Sequence, residues 1–244
     1  MTLSRRRFLA VASGFPGTLL AARSLVSNPH SEPGASGTVC VLLDLKQSCT
    51  LPESLAGFEL ALKAAQIPYL RASVGTRVRA RTLIAPAAVL TDLRAAQWLR
   101  TRLEGGVSVL FESGAAFLPP REFASQQRWL QSHLGVAVNP PLRVWEDPQV
   151  GSRVPYLDYA WPLRIKVRDF SSVIPVSGIG SEAVAWFGEN PVALRRKVGR
   201  GSLLFLGSPI GPHLLSGDPQ AQRWLIAFAT PGRICAAGRA MPVL

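Results

Sequence analysis

Cysteine, histidine and tyrosine are scarce, with three of each in 244 residues. Three cysteines exclude the disulfide framework of a small secreted scaffold. No Cys-x-x-Cys pair and no Cys/His cluster with zinc spacing occurs, so neither a metal site nor a cofactor is expected. Cys40 falls in an apolar run, where a thiol is normally inert. The single disulfide that an oxidising compartment permits is therefore assigned to Cys49 and Cys235. Acids are also few, 15 against 27 basic residues, and only Lys46, Lys63, Lys166 and Lys197 are lysines. Past the amino terminus there is no dense basic run, which argues against nucleic acid and for a solvated, arginine-rich surface. The same surplus suits an anionic envelope polymer as partner. Apart from the amino terminus no apolar stretch approaches the ~20 residues of a membrane span. Gly199-Arg200-Gly201 lacks the lysine and the spacing of a phosphate loop, and no internal repeat is present.

What is present begins with Ser4-Arg5-Arg6-Arg7-Phe8-Leu9, followed by an uncharged run over residues 8–22. A positive segment before a modest apolar one is the pattern of a signal peptide, and a basic nucleic-acid arm would not carry that apolar stretch. The order resembles the twin-arginine consensus at Arg5 and Arg6, which implies the twin-arginine translocase as partner and the periplasm as destination. Leu20-Ala21-Ala22 is a rough small-x-small cleavage site, and an uncleaved leader would act as an anchor. Setting aside Arg5, Arg6, Arg7 and Arg23 leaves twenty-three cations against fifteen acids, a surplus of eight. The expected organisation is a signal peptide over 1–26 and a Pro/Ser/Gly-rich linker over 27–37. A domain then runs over 38–229, β-rich over about 140–200, and an irregular tail over 230–244.

Within that domain, residues 38–44 form a continuous apolar run ending at Asp44, as in a strand buried on both faces. Pro52 opens a helical pattern through Leu55, Phe58, Leu62 and Ala65. Strands are expected over 68–72, 81–86 and 107–112. A helix capped by Thr91 should stop at Gly105-Gly106, and another should run over 121–134. Alternating strands and helices predict an α/β fold, a flavodoxin-like, doubly wound, mostly parallel sheet with a β-rich C-terminal extension. Strands in the extension are expected over 161–167, 171–176, 183–187, 192–198 and 202–206, before a last helix capped by Asp218.

Three segments carry a family resemblance: Thr82-Leu83-Ile84-Ala85-Pro86, Leu103-Glu104-Gly105-Gly106-Val107 and Gly199-Arg200-Gly201-Ser202 through Gly207-Ser208-Pro209. Together they resemble the class I glutamine amidotransferase-like superfamily, in particular its non-catalytic members. The resemblance spans residues 38–229 and places Ser113 at the nucleophile turn. It finds neither His nor Glu at Gly207-Ser208-Pro209, where active members carry them.

Right-handed crossovers place a ligand crevice at the carboxyl ends of the strands, lined by Asp44, Pro86, Glu112, Ser113 and Gly114. The expected role is that of an exported binding or assembly module of the cell envelope, leaning away from an enzyme. The alternative is a serine hydrolase of esterase or amidase type. Ser113 would be its nucleophile and His213 its base, with Glu112 or Asp218 orienting the imidazole. His30 and His133 are expected in solvent. Trp145, Trp161 and Trp186 offer either a sugar-stacking surface or core.

Overall fold

The structure, a computed structural model, describes residues 40–45, 49–144, 155–169 and 171–231. The leader with Arg5 and Arg6, the linker, His30, Trp145, Cys235 and the tail from 232 onward lie outside the described residues.

The chain alternates first: β1 (Cys40–Leu43), α1 (Pro52–Ala64), β2 (Tyr69–Ala72), β3 (Thr82–Ala88), α2 (Leu93–Glu104), β4 (Ser108–Ser113) and α3 (Pro120–Trp129). Strands then dominate: β5 (Ala137–Val138), β6 (Leu142–Arg143), β7 (Tyr156–Tyr159), β8 (Ile165–Arg168), β9 (Ser172–Val173), β10 (Val176–Ser177), β11 (Glu182–Phe187), β12 (Asn190–Val198) and β13 (Gly201–Leu206). Two helices close the fold, α4 (Gly211–Leu215) and α5 (Pro219–Ala229).

Successive residues of the central strands serve opposite cores, which is why these runs are apolar without alternation. Cys40 and Leu42 face one core while Val41 and Leu43 face the other. Leu110 opposes Val109 and Phe111, and Leu204 opposes Leu203 and Phe205. The first core is completed by Phe58 and Leu62 of α1, Leu214 of α4 and Trp224 of α5. The second is completed by Leu99 of α2 and by Phe123 and Trp129 of α3. Asp92, not Thr91, caps α2, accepting from the Arg94 amide at 2.9 Å. Asp218 caps α5 through the amides of Gln220 and Ala221. A single π-helical turn, Leu130–Leu134, carries α3 on to Gly135, whose φ of 62° is a left-handed stop.

The main sheet has nine strands in the order β2-β1-β3-β4-β13-β12-β11-β7-β8. Contacts among the first five are parallel, and every later contact is antiparallel. The α/β class holds, but the expectation of a flavodoxin-like, mostly parallel sheet with an appended β-rich part is corrected. β13 docks parallel to β4, and β12 then folds back on it across Gly199, so β12, β11, β7 and β8 continue the same sheet, while β5 with β10 and β6 with β9 form two separate pairs. Half of its contacts are therefore antiparallel. The strand expected over 161–167 begins only at Ile165, and β7 was not anticipated.

Candidate functional site

The carboxyl ends of β3 and β4 meet at Glu112. β3 slips register between Ala85 and Ala88, beyond Pro86, and leaves Ala87 at φ 39°. That distortion aims the Ala87 amide at Glu112 Oε2, 2.7 Å away. Glu112 Oε1 accepts from the amides of Ile210 (2.6 Å) and Gly211 (2.8 Å) at the start of α4. Ser54 of α1, whose buried hydroxyl has no hydrogen-bond partner among the described residues, lies near enough to add its dipole. Burial pushes the Glu112 carboxyl upward against the pull of the Gly211, Ala87 and Ile210 amides and of Ser54. A Cβ on Gly211 would lie 2.3 Å from Ser54 Cα, and one on Gly57 would lie 1.9 Å from Gly211 O, so α1 and α4 meet backbone to backbone. Gly114 is equally constrained, since a Cβ there would lie 2.1 Å from Thr50 Oγ1 and 2.3 Å from Ala87 O.

The expected crevice is thus filled by the protein's own groups. Ser113 is fully buried, and its hydroxyl accepts from the Ala115 amide at 3.3 Å. No hydrogen bond links it to His213 among the described residues. His213 is half-buried on α4, where burial lowers its pKa and the charges of Asp169 and Asp218 raise it. The serine-nucleophile reading is corrected on this geometry: the Ser113 hydroxyl is buried at the end of β4 and engaged with the Ala115 amide. Asp44 stays partly exposed, and its amide bonds to Ala72 O at 3.0 Å. Cys49 is a free thiol that donates to Leu51 O at 3.1 Å; its assigned partner Cys235 is outside the described residues.

Sequence reasoning missed the neighbouring polar cluster. Asp169 is buried just after β8, and its carboxylate accepts from the Ser208 hydroxyl at 2.7 Å and from the Ser171 amide at 2.7 Å. Tyr159 of β7 is buried beside it. Burial, then the charges of Asp169 and Glu112, push its phenol upward, while Ser208 pulls it down. The only sequence signal was negative: Gly207-Ser208-Pro209 lacked His and Glu, but its serine is the group that holds Asp169.

A third polar group faces solvent. Trp186 of β11 stands opposite Asp158 of β7, and Asp158 opposite Lys166 of β8, a cross-strand row over three strands. Asp158 and Lys166 are 3.3 Å apart. With Arg164, they border an open pocket of about 330 Å³ that includes the half-buried Trp186. Trp161, by contrast, packs edge-on to Phe228 under the Arg195 guanidinium, and its carbonyl accepts from Trp224.

No protein-family model and no curated sequence matches the chain. Its fold is shared with an exo-β-1,4-mannosidase of Opitutaceae bacterium strain TAV5, 13% identical, with a TM-score of 0.54 over 86% of this chain and 37% of that one. It is also shared with a β-galactosidase of Rahnella sp. R3, 13% identical, with a TM-score of 0.60 over 80% and 31%. A cytoplasmic protein of Salmonella typhimurium LT2, 12% identical, matches with a TM-score of 0.50 over 81% and 98%. This chain spans about a third of the length of the two glycosidases. Identities this low define the fold alone.

The assignment to the amidotransferase-like superfamily is corrected: no family model matches, and the structures that share this fold are those of a mannosidase and a galactosidase. The motifs behind it are common α/β punctuation: Gly106 ends a helix at φ 102° and Gly199 turns a hairpin at φ 58°. The reading as an envelope binding or assembly module, and its serine-hydrolase alternative, fall with that assignment. The sheet is itself open, with β2 and β8 at its edges.

Proposed function

We propose that the protein takes part in glycoside processing and holds a saccharide on the Trp186 shelf. The fold it shares with a mannosidase and a galactosidase supports this reading, and the observation that carries it is the row Trp186–Asp158–Lys166. The C–H face of a sugar ring stacks on an indole, while Asp158 accepts from hydroxyls and Lys166 and Arg164 donate to them. Glycoside hydrolysis ordinarily needs two carboxylates flanking the bond. The shelf supplies one, and the buried pair Glu112 and Asp169 is engaged with amides and with Ser208. The shelf is thus a substrate-holding subsite of a glycosidase-type protein, with bond cleavage assigned to groups other than these. We further propose the periplasm as its place of action, on the Arg5-Arg6 leader.

The full chain is to be titrated with galacto- and manno-oligosaccharides by tryptophan fluorescence and assayed on aryl galactosides and mannosides. Saccharide should bind, and Trp186→Ala should weaken binding at least tenfold at unchanged melting temperature. Absence of both binding and hydrolysis, or a Trp186→Ala variant that binds like the parent, refutes the reading.

A further inference from the structure

At the amino ends of β4 and β13 lies an open groove of about 680 Å³, within the size range of small-ligand sites. Its cations are Arg195, Arg196, Lys197 and Arg200, against one carboxylate, Glu182. Arg196 is engaged elsewhere, donating to Leu134 O at 2.9 Å. Arg200 makes one long bond of the same kind, to Gly105 O at 3.5 Å, and no ion pair reaches Arg195, Lys197 or Arg200 among the described residues, although Glu182 stands opposite Arg195 in register. The Arg195 guanidinium lies over the Trp161 ring at 4.4 Å, which holds the charged head in place at the groove. Lys197 pairs with Ser202 across the hairpin, and Ser202 with Ser108 on β4. The two hydroxyls are 3.2 Å apart, so cation and hydroxyl donors form one row over three strands.

The floor of the groove is rigid. A Cβ on Gly201 would lie 2.3 Å from Val107 O, and one on Gly199 would lie 2.8 Å from Glu104 Cα, so the hairpin is set against the end of α2. Like charges gathered without counter-charges raise the local potential, and a fixed scaffold keeps them from spreading apart. Hydroxyls beside cations form the donor set that oxyanions take, and guanidinium groups suit planar carboxylates in particular.

We infer that this groove binds the oxyanion groups of an acidic saccharide, a uronate-bearing or sulfated chain. The saccharide carrier rests on the glycoside reading above; the anion preference rests on the groove alone. The chain's charge agrees with the anion preference, since fifteen acids cannot neutralise twenty-seven basic residues.

The test compares oligogalacturonate, sulfated galacto-oligosaccharide, neutral galacto-oligosaccharide of equal length, inorganic sulfate and a single-stranded oligonucleotide of equal charge. The full chain and the Lys197→Gln/Arg200→Gln variant are measured at low and high salt. Both altered side chains are exposed, so the variant should melt with the parent. An acidic saccharide should bind at least tenfold tighter than the neutral one, more weakly in high salt, and at least tenfold more weakly to the variant. Neutral saccharide should bind both proteins alike. Acidic affinity unchanged in the variant, or an oligonucleotide or free sulfate that binds as tightly, overturns the inference and leaves the Trp186 reading intact. If neutral saccharide fails to bind while the variant still loses the acidic one, the glycoside reading falls and the anion groove stands.

Discussion

The carboxyl edge of the parallel strands and the outer face of the antiparallel strands use polar groups in opposite ways. At the edge, Glu112, Ser113 and Thr50 have their hydrogen bonds met by the protein itself: by the amides of Ala87, Ile210, Gly211 and Ala115 and by the carbonyl of Gly114. On the outer face, Asp158 and Lys166 project into solvent and pair with each other beside the half-buried Trp186. A polar group whose valences are filled inside the fold stabilises that fold. One left open is available to a ligand. Position at the carboxyl edge of an α/β sheet therefore does not make a site here.

Glu112 offers the strongest way to break this contrast. Glu112→Ala strands three amides in a buried place, and an orphaned buried donor costs about 1–3 kcal/mol. The expected loss is about 4 kcal/mol or failure to fold, read by urea denaturation. A variant within about 1 kcal/mol of the parent would mean the edge is open and the crevice real. Gly211→Ala comes next. Its methyl would press on Ser54, and overpacking of this kind costs about 1–3 kcal/mol, seen as a lower melting temperature. Ser113→Ala should cost about 1 kcal/mol, the worth of one long cap bond, and leave any glycosidase or saccharide-binding activity unchanged. Loss of activity at full stability would restore a chemical role for the hydroxyl.

How much of this was legible follows the same divide. Burial on two faces writes itself into a sequence as an unbroken apolar run, so β1, β3, β4 and β13 were readable, as were the Gly105-Gly106 stop and the Asp218 cap. β7 was not, because four residues alternating Tyr-Leu-Asp-Tyr carry too little pattern, and with it went the antiparallel count. The Tyr159–Asp169–Ser208 cluster was invisible for another reason. Its members come from β7, from the end of β8 and from beyond β13, and nothing local marks them as neighbours. Ser113 was readable as a residue at a strand-to-turn junction. Whether its hydroxyl was free depended on the Ala115 amide, a question of geometry.

The finest test uses His213, which lies between the two regimes. Burial lowers its pKa below 6.5, so between the lowered value and 6.5 the native state binds fewer protons than the unfolded chain. Stability then rises with pH through that window and is lost on acidification, an effect that the ring's partial solvation reduces. His213→Gln should flatten this limb in melting temperatures taken from pH 7 down to pH 5. Asp169 and Asp218 face the imidazole and oppose the loss by favouring its charged form. Asp218→Asn keeps an acceptor for the amides of Gln220 and Ala221 while deleting the charge, so the acid-side loss should grow. The double variant His213→Gln/Asp218→Asn should return to the flat profile of His213→Gln alone. A limb that survives in both would assign the pH response to another group and leave His213 as one more residue whose needs the fold already meets.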